Sequence, residues 1–411
     1  MGAPAKKRVV VTGIGLVSSI GKCPETFWKN LVAGQSGIGP ISRFDATEFP
    51  TKHAAEVKEF DPADFLAEKE LKRMSRSTQF MMASAGQAIR EAGLDGSTAI
   101  DLKRVGVILG TGIGGIEEVF TQYDRYRTSG LRGTNPFTLL MVMPNALSGE
   151  IAIRYGFRGA NFTLNSACAS ASHALGIAFR EIQRGSADIC VSGGAEALIH
   201  PMCLLTFATL RTLSKSGVAR PFDRERDGIV IGEGAAAFAL EELEHALARG
   251  AHIHAEVLGQ GMSSDAYHCV APEPSGKSAA EAIRLALDDA GIPPSAVAYV
   301  NAHATGTKIG DVAEVHALKA VFGDPLTVPV SATKSLTGHL VGASGAVEFA
   351  ATVLAVENDI IPPTGNYSTP DPECDVDCVP NSAREQELPI AISNSFGFGG
   401  HNSCLVVAKY S

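Results

Sequence analysis

Three stretches of the chain hold residues that could do covalent chemistry. In Asn165-Ser166-Ala167-Cys168-Ala169-Ser170-Ala171-Ser172 a thiol sits among small residues, directly before a helical pattern. Unpaired N–H groups and the helix dipole at such a start favour thiolate, and small neighbours let an extended substrate arm approach. A buried, inert thiol is the competing reading of any cysteine. In Asn301-Ala302-His303-Ala304-Thr305-Gly306-Thr307 a histidine follows the end of a strand-like run. That edge is where open α/β sheets build their sites. A second histidine, His339, lies in the glycine-rich turn Thr337-Gly338-His339-Leu340-Val341-Gly342, ahead of another helix. The segment Ser393-Asn394-Ser395-Phe396-Gly397-Phe398-Gly399-Gly400-His401-Asn402 ends a strand in a turn whose glycines expose backbone N–H groups. Such groups can form an oxyanion hole; the plain alternative is a hairpin turn with two core phenylalanines. Most other histidines, His53, His245, His252 and His254 among them, stand in polar or helical surroundings and read as surface or packing residues.

Strand-like runs alternate with helical ones, which predicts an α/β class with buried, mostly parallel strands. Strands are expected over 8–12, 105–109, 189–192, 235–240, 298–301 and 391–394. Helices are expected over 78–92, 169–184, 278–290, 311–321 and 346–357, where apolar residues recur at i, i+3 and i+4. An internal echo links Ala88-Ile89-Arg90 to Ala282-Ile283-Arg284 and Gly112 to Gly306, both at an offset of 194 residues. Two halves of similar layout follow, 1–250 with the cysteine and 251–411 with both histidines. No Pro- or Ser-rich linker separates them, so a shared interface is expected.

Composition narrows the class. The 411 residues include 43 glycines, about 14 more than average usage gives. They cluster between apolar runs without a Gly-X-Y period, which excludes a collagen-like chain. With 45% hydrophobic residues and a mean hydropathy of +0.10, intrinsic disorder is excluded as well. A net charge of −9 argues against a general nucleic-acid binder. The eight cysteines form no paired framework, and Cys374 and Cys378 lack partners at zinc-site spacing. Lys6-Lys7-Arg8 before Val9-Val10-Val11 mimics a signal peptide, but Gly13 and Gly15 fit a strand and turn better. No apolar run is long enough to span a membrane, and a cytoplasmic protein is expected.

Taken in order, these motifs resemble the condensing enzymes of the thiolase superfamily, and among them the type II β-ketoacyl-acyl carrier protein synthases. The resemblance runs through Val10-Val11-Thr12-Gly13-Ile14-Gly15, Gly110-Thr111-Gly112-Ile113-Gly114-Gly115, the Cys168 segment, Arg220-Pro221-Phe222-Asp223, Gly232-Glu233-Gly234, both histidine motifs with Lys334, and Asn394-Ser395-Phe396-Gly397-Phe398-Gly399-Gly400. It implies a thiolase-like fold, five-layered αβαβα from two duplicated halves, in a homodimer. It also implies an acyltransferase. Cys168 would take an acyl group from acyl carrier protein, with the N–H groups of Cys168 and Phe398 holding the oxyanion. His303 and His339 would assist decarboxylation of malonyl-acyl carrier protein, and the resulting carbanion would attack the acyl-cysteine. Lys334 matches the family's lysine and Glu348 its helix carboxylate. Thr305 and Thr307 match contacts to the pantetheine amides, and Phe396, Phe398, Gly399 and Ile113 match positions along the acyl path. No cofactor is implied beyond the 4'-phosphopantetheine carried by the acyl carrier protein, and no catalytic metal.

The acyl carrier protein is acidic, so a local basic patch is expected on this acidic enzyme: Lys69, Lys72, Arg73, Arg132 and Arg211 match such positions. A monovalent cation is expected near Asn301, Glu348 and Asn394. The chain departs from relatives in having Lys308 where Pro is common. A thiolase would need a second cysteine at the C-terminal glycine turn, and Gly399-Gly400-His401 offers none. A type II polyketide ketosynthase shares the Cys-His-His set. A silent chain-length-factor partner typically lacks the nucleophile that Cys168 supplies.

Overall fold

A computed structural model describes residues 6–410. Ten strands form one continuous sheet: β1 (Val9–Val17), β2 (Val105–Gly110), β3 (Asn161–Leu164), β4 (Ile189–Glu196), β5 (Gly234–Glu242), β6 (Ala255–Ser264), β7 (Tyr299–Asn301), β8 (Val330–Ser331), β9 (Ile390–Gly397) and β10 (His401–Lys409). Their spatial order is β8-β7-β9-β10-β6-β1-β5-β4-β2-β3. Read outward from the centre, each half runs first, fifth, fourth, second, third strand. Strand sense repeats as well: β1/β5 and β6/β10 are antiparallel, β2/β4 and β7/β9 parallel. The halves meet where β1 and β6 pair over three residues, Val9–Val11 against Val257–Ala255.

The sheet is mixed, which corrects the expectation of mostly parallel strands. In each half the fifth strand, lying between the first and the fourth, runs against the other four, and the halves meet antiparallel, so five of the nine neighbouring pairs are antiparallel. Apolar runs such as VVVTGIGLV in β1 are buried on both faces whichever way their neighbours run, so burial does not reveal sense. Strands β6 and β10 go unforeseen because Gly259, Gln260 and Gly261 interrupt one and the glycine turn obscures the start of the other.

The helices that bear on the layers and the site include α1 (Arg76–Glu91), α2 (Ile116–Ser129), α3 (Ser170–Gln183), α4 (Lys277–Ala290), α5 (Lys308–Phe322) and α6 (Ser344–Asn358). Outer α1 packs on β1 and β5, and outer α4 on β6 and β10. Between the halves lie α3 and α6, each touching strands of both. This is the five-layered arrangement of a duplicated αβαβα fold. The echo falls on equivalent elements, Ala88 in α1 and Ala282 in α4, with Gly112 and Gly306 just past β2 and β7. Phe179 of α3, Phe349 of α6, Phe238 of β5 and Leu405 of β10 share the central core. Helix α6 is buried from Ser344 through Val356, as a helix enclosed by sheet on both sides must be. Among the described residues no helix is long and apolar enough to cross a membrane.

Candidate active site

Cys168 stands in the short connection from β3 to α3, and a tight turn presents it. Ala167 adopts φ +51°, a left-handed conformation uncommon for a residue with a Cβ. The Ser170 hydroxyl donates to Ala167 O (2.6 Å) and accepts from the Ser166 N–H (2.9 Å), so serine oxygens hold the turn. The β9–β10 hairpin packs directly on it. A Cβ at Gly397 would lie 2.8 Å from Ser166 O and 3.1 Å from Cys168 N, so only glycine permits this approach. The hairpin closes through Phe398-Gly399-Gly400, both glycines at positive φ, and directs the Phe398 N–H at the Cys168 sulfur. Both readings of this segment therefore meet, since it is a hairpin turn and it presents backbone N–H groups. Phe396 and Phe398 are half-buried rather than core residues.

The second half supplies the histidines. His339 follows the short helix Lys334–Thr337, and its N–H donates to Val230 O (2.7 Å). Its Nε2 lies 3.1 Å from Cys168 Sγ, and its Nδ1 lies 2.8 Å from Ser344 Oγ at the start of α6. His303 follows β7; its ring centre lies 5.5 Å from that of His339, nearly perpendicular, and 5.8 Å from Phe396. The Lys334 ammonium donates to His303 Nδ1 (3.2 Å) and His303 O (2.6 Å) and pairs with the Glu348 carboxylate on α6. With Lys334 donating to Nδ1, neutral His303 carries its proton on Nε2, the nitrogen left to face a substrate.

Electrostatics sets the resting protonation. Burial, assisted by the Lys334 ammonium, holds His339 well below the ordinary imidazole range. Burial, Lys334 and His339 do the same for His303, so both rings are neutral at pH 7. Burial pushes the Cys168 thiol up to about 12, although Lys334 and the Phe398 N–H pull the other way. The resting group is a thiol, which corrects the thiolate expected from its place before a helix. Complete desolvation outweighs the dipole here. Burial pushes Glu348 up and Lys334 offsets it; the pair is held as an ion pair because either charge alone would be costly there.

A cavity of about 420 Å³ opens onto these groups. Its walls include Cys168, His303, His339, Thr305, Thr307, Phe396 and Phe398, with exposed Arg211 also on the lining. Thr307 also caps α5, accepting from the Gly310 N–H (3.2 Å). Ile113 and Gly399 do not line this cavity. Ile113 is 40% exposed and bonds through its N–H to Glu196, while Gly399 sits at the exposed hairpin tip. Of the basic residues, Lys69, Lys72 and Arg132 are exposed, and Asn135 ties the 131–135 loop to Lys72 O. Arg73 is instead engaged bidentately by Glu150. Asn301 Oδ1, Asn394 Oδ1 and Glu348 Oε2 are buried without a hydrogen-bond partner among the described residues, a set of oxygens suited to a monovalent cation.

Sequence reasoning missed the carboxylates that hold the loops. Glu314 on α5 accepts from the N–H groups of His303 (2.9 Å) and Ala304 (2.7 Å). Glu196 at the end of β4 accepts from Gly112 (2.6 Å) and Gly342 (3.0 Å), joining the glycine loops of the two halves. The signal available was Asp311 and Glu314 spaced i, i+3 on an otherwise apolar helix face.

Family models describe most of the chain: Beta-ketoacyl synthase, N-terminal domain matches residues 6–246, and Beta-ketoacyl synthase, C-terminal domain matches residues 254–368. The chain is 46% identical to 3-oxoacyl-[acyl-carrier-protein] synthase 2 of Synechocystis sp., over 98% of this chain and 99% of that one. Among solved structures, the ishigamide ketosynthase/chain length factor superposes with a TM-score of 0.94 at 38% identity, covering 99% of this chain and 100% of that one. A type II PKS acyl-carrier protein in complex with its ketosynthase gives 0.91 at 32%, covering 99% and 100%. A cysteine and two neutral imidazoles converge from two halves that these models match separately, and the protein belongs to the beta-ketoacyl synthase family of acyl-transferring condensing enzymes.

Proposed function

We propose that the protein catalyses a decarboxylating Claisen condensation in fatty acid elongation, with residues 1–250 supplying the nucleophile and 251–411 the proton-handling groups. The observation that carries the reading is the 3.1 Å contact between Cys168 Sγ and His339 Nε2 inside a cavity shared with His303. The Cys168 sulfur attacks the thioester carbon of acyl-acyl carrier protein, the carbon–sulfur bond to pantetheine breaks, and the thiol proton ends on the departing pantetheine sulfur. The N–H groups of Cys168 and Phe398 stabilise the oxyanion. Malonyl-acyl carrier protein then occupies the same cavity, its pantetheine amides near Thr305 and Thr307. His303 and His339 donate from Nε2 to the thioester oxygen, CO2 leaves, and the enolate carbon attacks the acyl-Cys168 carbonyl. β-Ketoacyl-acyl carrier protein departs as the bond from the carbonyl to sulfur breaks, and the Cys168 thiolate takes one proton from solvent to regenerate the thiol.

The carrier protein docks by its acidic surface on Lys69, Lys72, Arg132 and Arg211, in line with the relative's name and the ketosynthase–carrier complex. The acyl chain enters the apolar cluster beyond Cys168 formed by Ile199, Phe207, Ile229 and Val341, with Phe398 at its edge. A monovalent cation held by Asn301, Glu348 and Asn394 would supply positive charge behind the site. A homodimer is favoured by the apolar side chains left exposed around α2 and β3, including Tyr123, Leu131, Leu139 and Phe162, and a cytoplasmic location belongs to the same reading. Single-turnover assays with acyl-acyl carrier thioesters of increasing length test the reading. We expect a mass increase on Cys168 equal to the acyl group, discharged on adding malonyl-acyl carrier protein. Saturated acyl chains transferring no better than poly-β-keto chains would favour the polyketide reading, and no adduct on Cys168 would overturn the nucleophile.

A further inference from the structure

Strand β6 starts directly after a His-Ile-His sequence that lies over the seam between the halves. His254 is 9% exposed, and its backbone N–H donates to Val11 O on β1 (2.9 Å). Glu357 in the last turn of α6 reaches both rings, with Oε1 3.1 Å from His254 Nδ1 and 3.4 Å from His252 Nε2. The rings stand 4.5 Å apart at 87°. On the far side of His254, Nε2 faces Glu91 Oε1 of α1 at 3.4 Å. Glu91 is itself fixed through Oε2, which accepts from the Ile14 N–H (2.6 Å). None of these four residues lines the active-site cavity.

Two imidazole nitrogens and a carboxylate oxygen thus lie within 4.8 Å of one another. That donor set suits zinc and its transition-metal neighbours. Four-coordinate zinc with bonds of about 2.0–2.1 Å sets neighbouring donor atoms about 3.3 Å apart. The two separations to Glu357 bracket that value. Metal-bound histidines also hand their other N–H to a carboxylate, which fixes the tautomer. Glu91 stands in that place; burial opposes the charge, but Glu357 and Glu91 outweigh it and raise the metal-free His254 to about 9, so an entering ion would displace the Nδ1 proton that faces Glu357. A simple ion pair accounts for His254 and Glu357 but not for the exposed His252 ring turned onto the same oxygen.

We propose that His252 Nε2, His254 Nδ1 and the Glu357 carboxylate bind one divalent transition-metal ion of the zinc class, oriented by Glu91. Bound there, the ion fastens α6 and the start of β6 together at the seam and, through Glu91, braces them against α1. It is a structural site separate from the catalytic groups. Untagged full-length protein, stripped with chelator, should take up one equivalent of Zn2+ by calorimetry, and Zn2+ should raise its melting temperature. With Co2+ it should give four-coordinate visible bands without thiolate charge-transfer bands. His252→Ala should lose the binding and the thermal shift, while its metal-free melting temperature and condensation activity match the parent. Glu91→Gln should weaken binding about 10–100-fold. Binding that is absent in the parent, that survives His252→Ala unchanged, or that shows thiolate bands would overturn the proposal.

Discussion

In the first half the chain leaves β3 and turns through Ala167 into Cys168; in the second it leaves β8, the equivalent strand, and turns into Lys334 and His339. Both turns lie past the C-terminal ends of their strands and ahead of the central helices α3 and α6. The side chains delivered are opposite in kind. The first half contributes a neutral sulfur whose charged form burial opposes, and its buried carboxylate Glu196 is occupied with backbone N–H groups. The second contributes two imidazoles, an ammonium and the carboxylates Glu348 and Glu314 that hold them. Duplication thus provides two equivalent addresses facing one cavity, and the occupants divide the labour. In the proposed reaction one half would form the covalent bond while the other sets the charge.

If the labour is divided in this way, removing the nucleophile should spare the chemistry of the other half. Cys168→Ala should lower condensation by about 10⁴-fold or more while malonyl decarboxylation persists, measured as CO2 release against product. Loss of both activities together would contradict the division. A thiol held neutral by burial should also be modified slowly at pH 7. Its alkylation, followed by mass spectrometry, should accelerate about tenfold per pH unit into the alkaline range without a plateau near neutrality.

The charge-setting role is tested through Lys334. Lys334→Met strands Glu348 and should cost about 3–5 kcal/mol in denaturant unfolding. Adding Glu348→Gln should recover most of that stability. The lysine charge lowers both imidazoles, so its removal raises them; neutral rings are required, so the acidic limb of decarboxylation should move to higher pH in both variants. An unmoved limb would assign the lowering to burial alone. The smallest effect belongs to the contact between the halves: Gly397→Ala should cost about 1–3 kcal/mol and slow acylation more than decarboxylation.

Much of this site was legible because nucleophiles and bases need small neighbours, and small residues are conspicuous in sequence. Cys168, His303 and His339 each stand beside alanine, glycine or serine at the end of a strand. Legibility failed where the partner is remote. Glu314 looks like any helix carboxylate until the His303 loop folds over it, and Ser344 until His339 turns toward it. The thiol misled for a related reason: the helix start is local and visible, whereas burial is the sum of the whole fold. His252 and His254 read as surface or packing residues because Glu357 and Glu91 lie about a hundred or more positions away.

Helix α6 has a consequence for how the enzyme fails. Enclosed on every face through Val356, it has no route to solvent that leaves the flanking sheets intact. Its amides should therefore exchange with deuterium only through global opening, at the slowest class of rates in the molecule. Because Glu348 rides on that helix and Ser344 begins it, the charge pattern around the imidazoles cannot fray away while the rest of the chain stays folded. Heat inactivation and global unfolding should follow one curve rather than two.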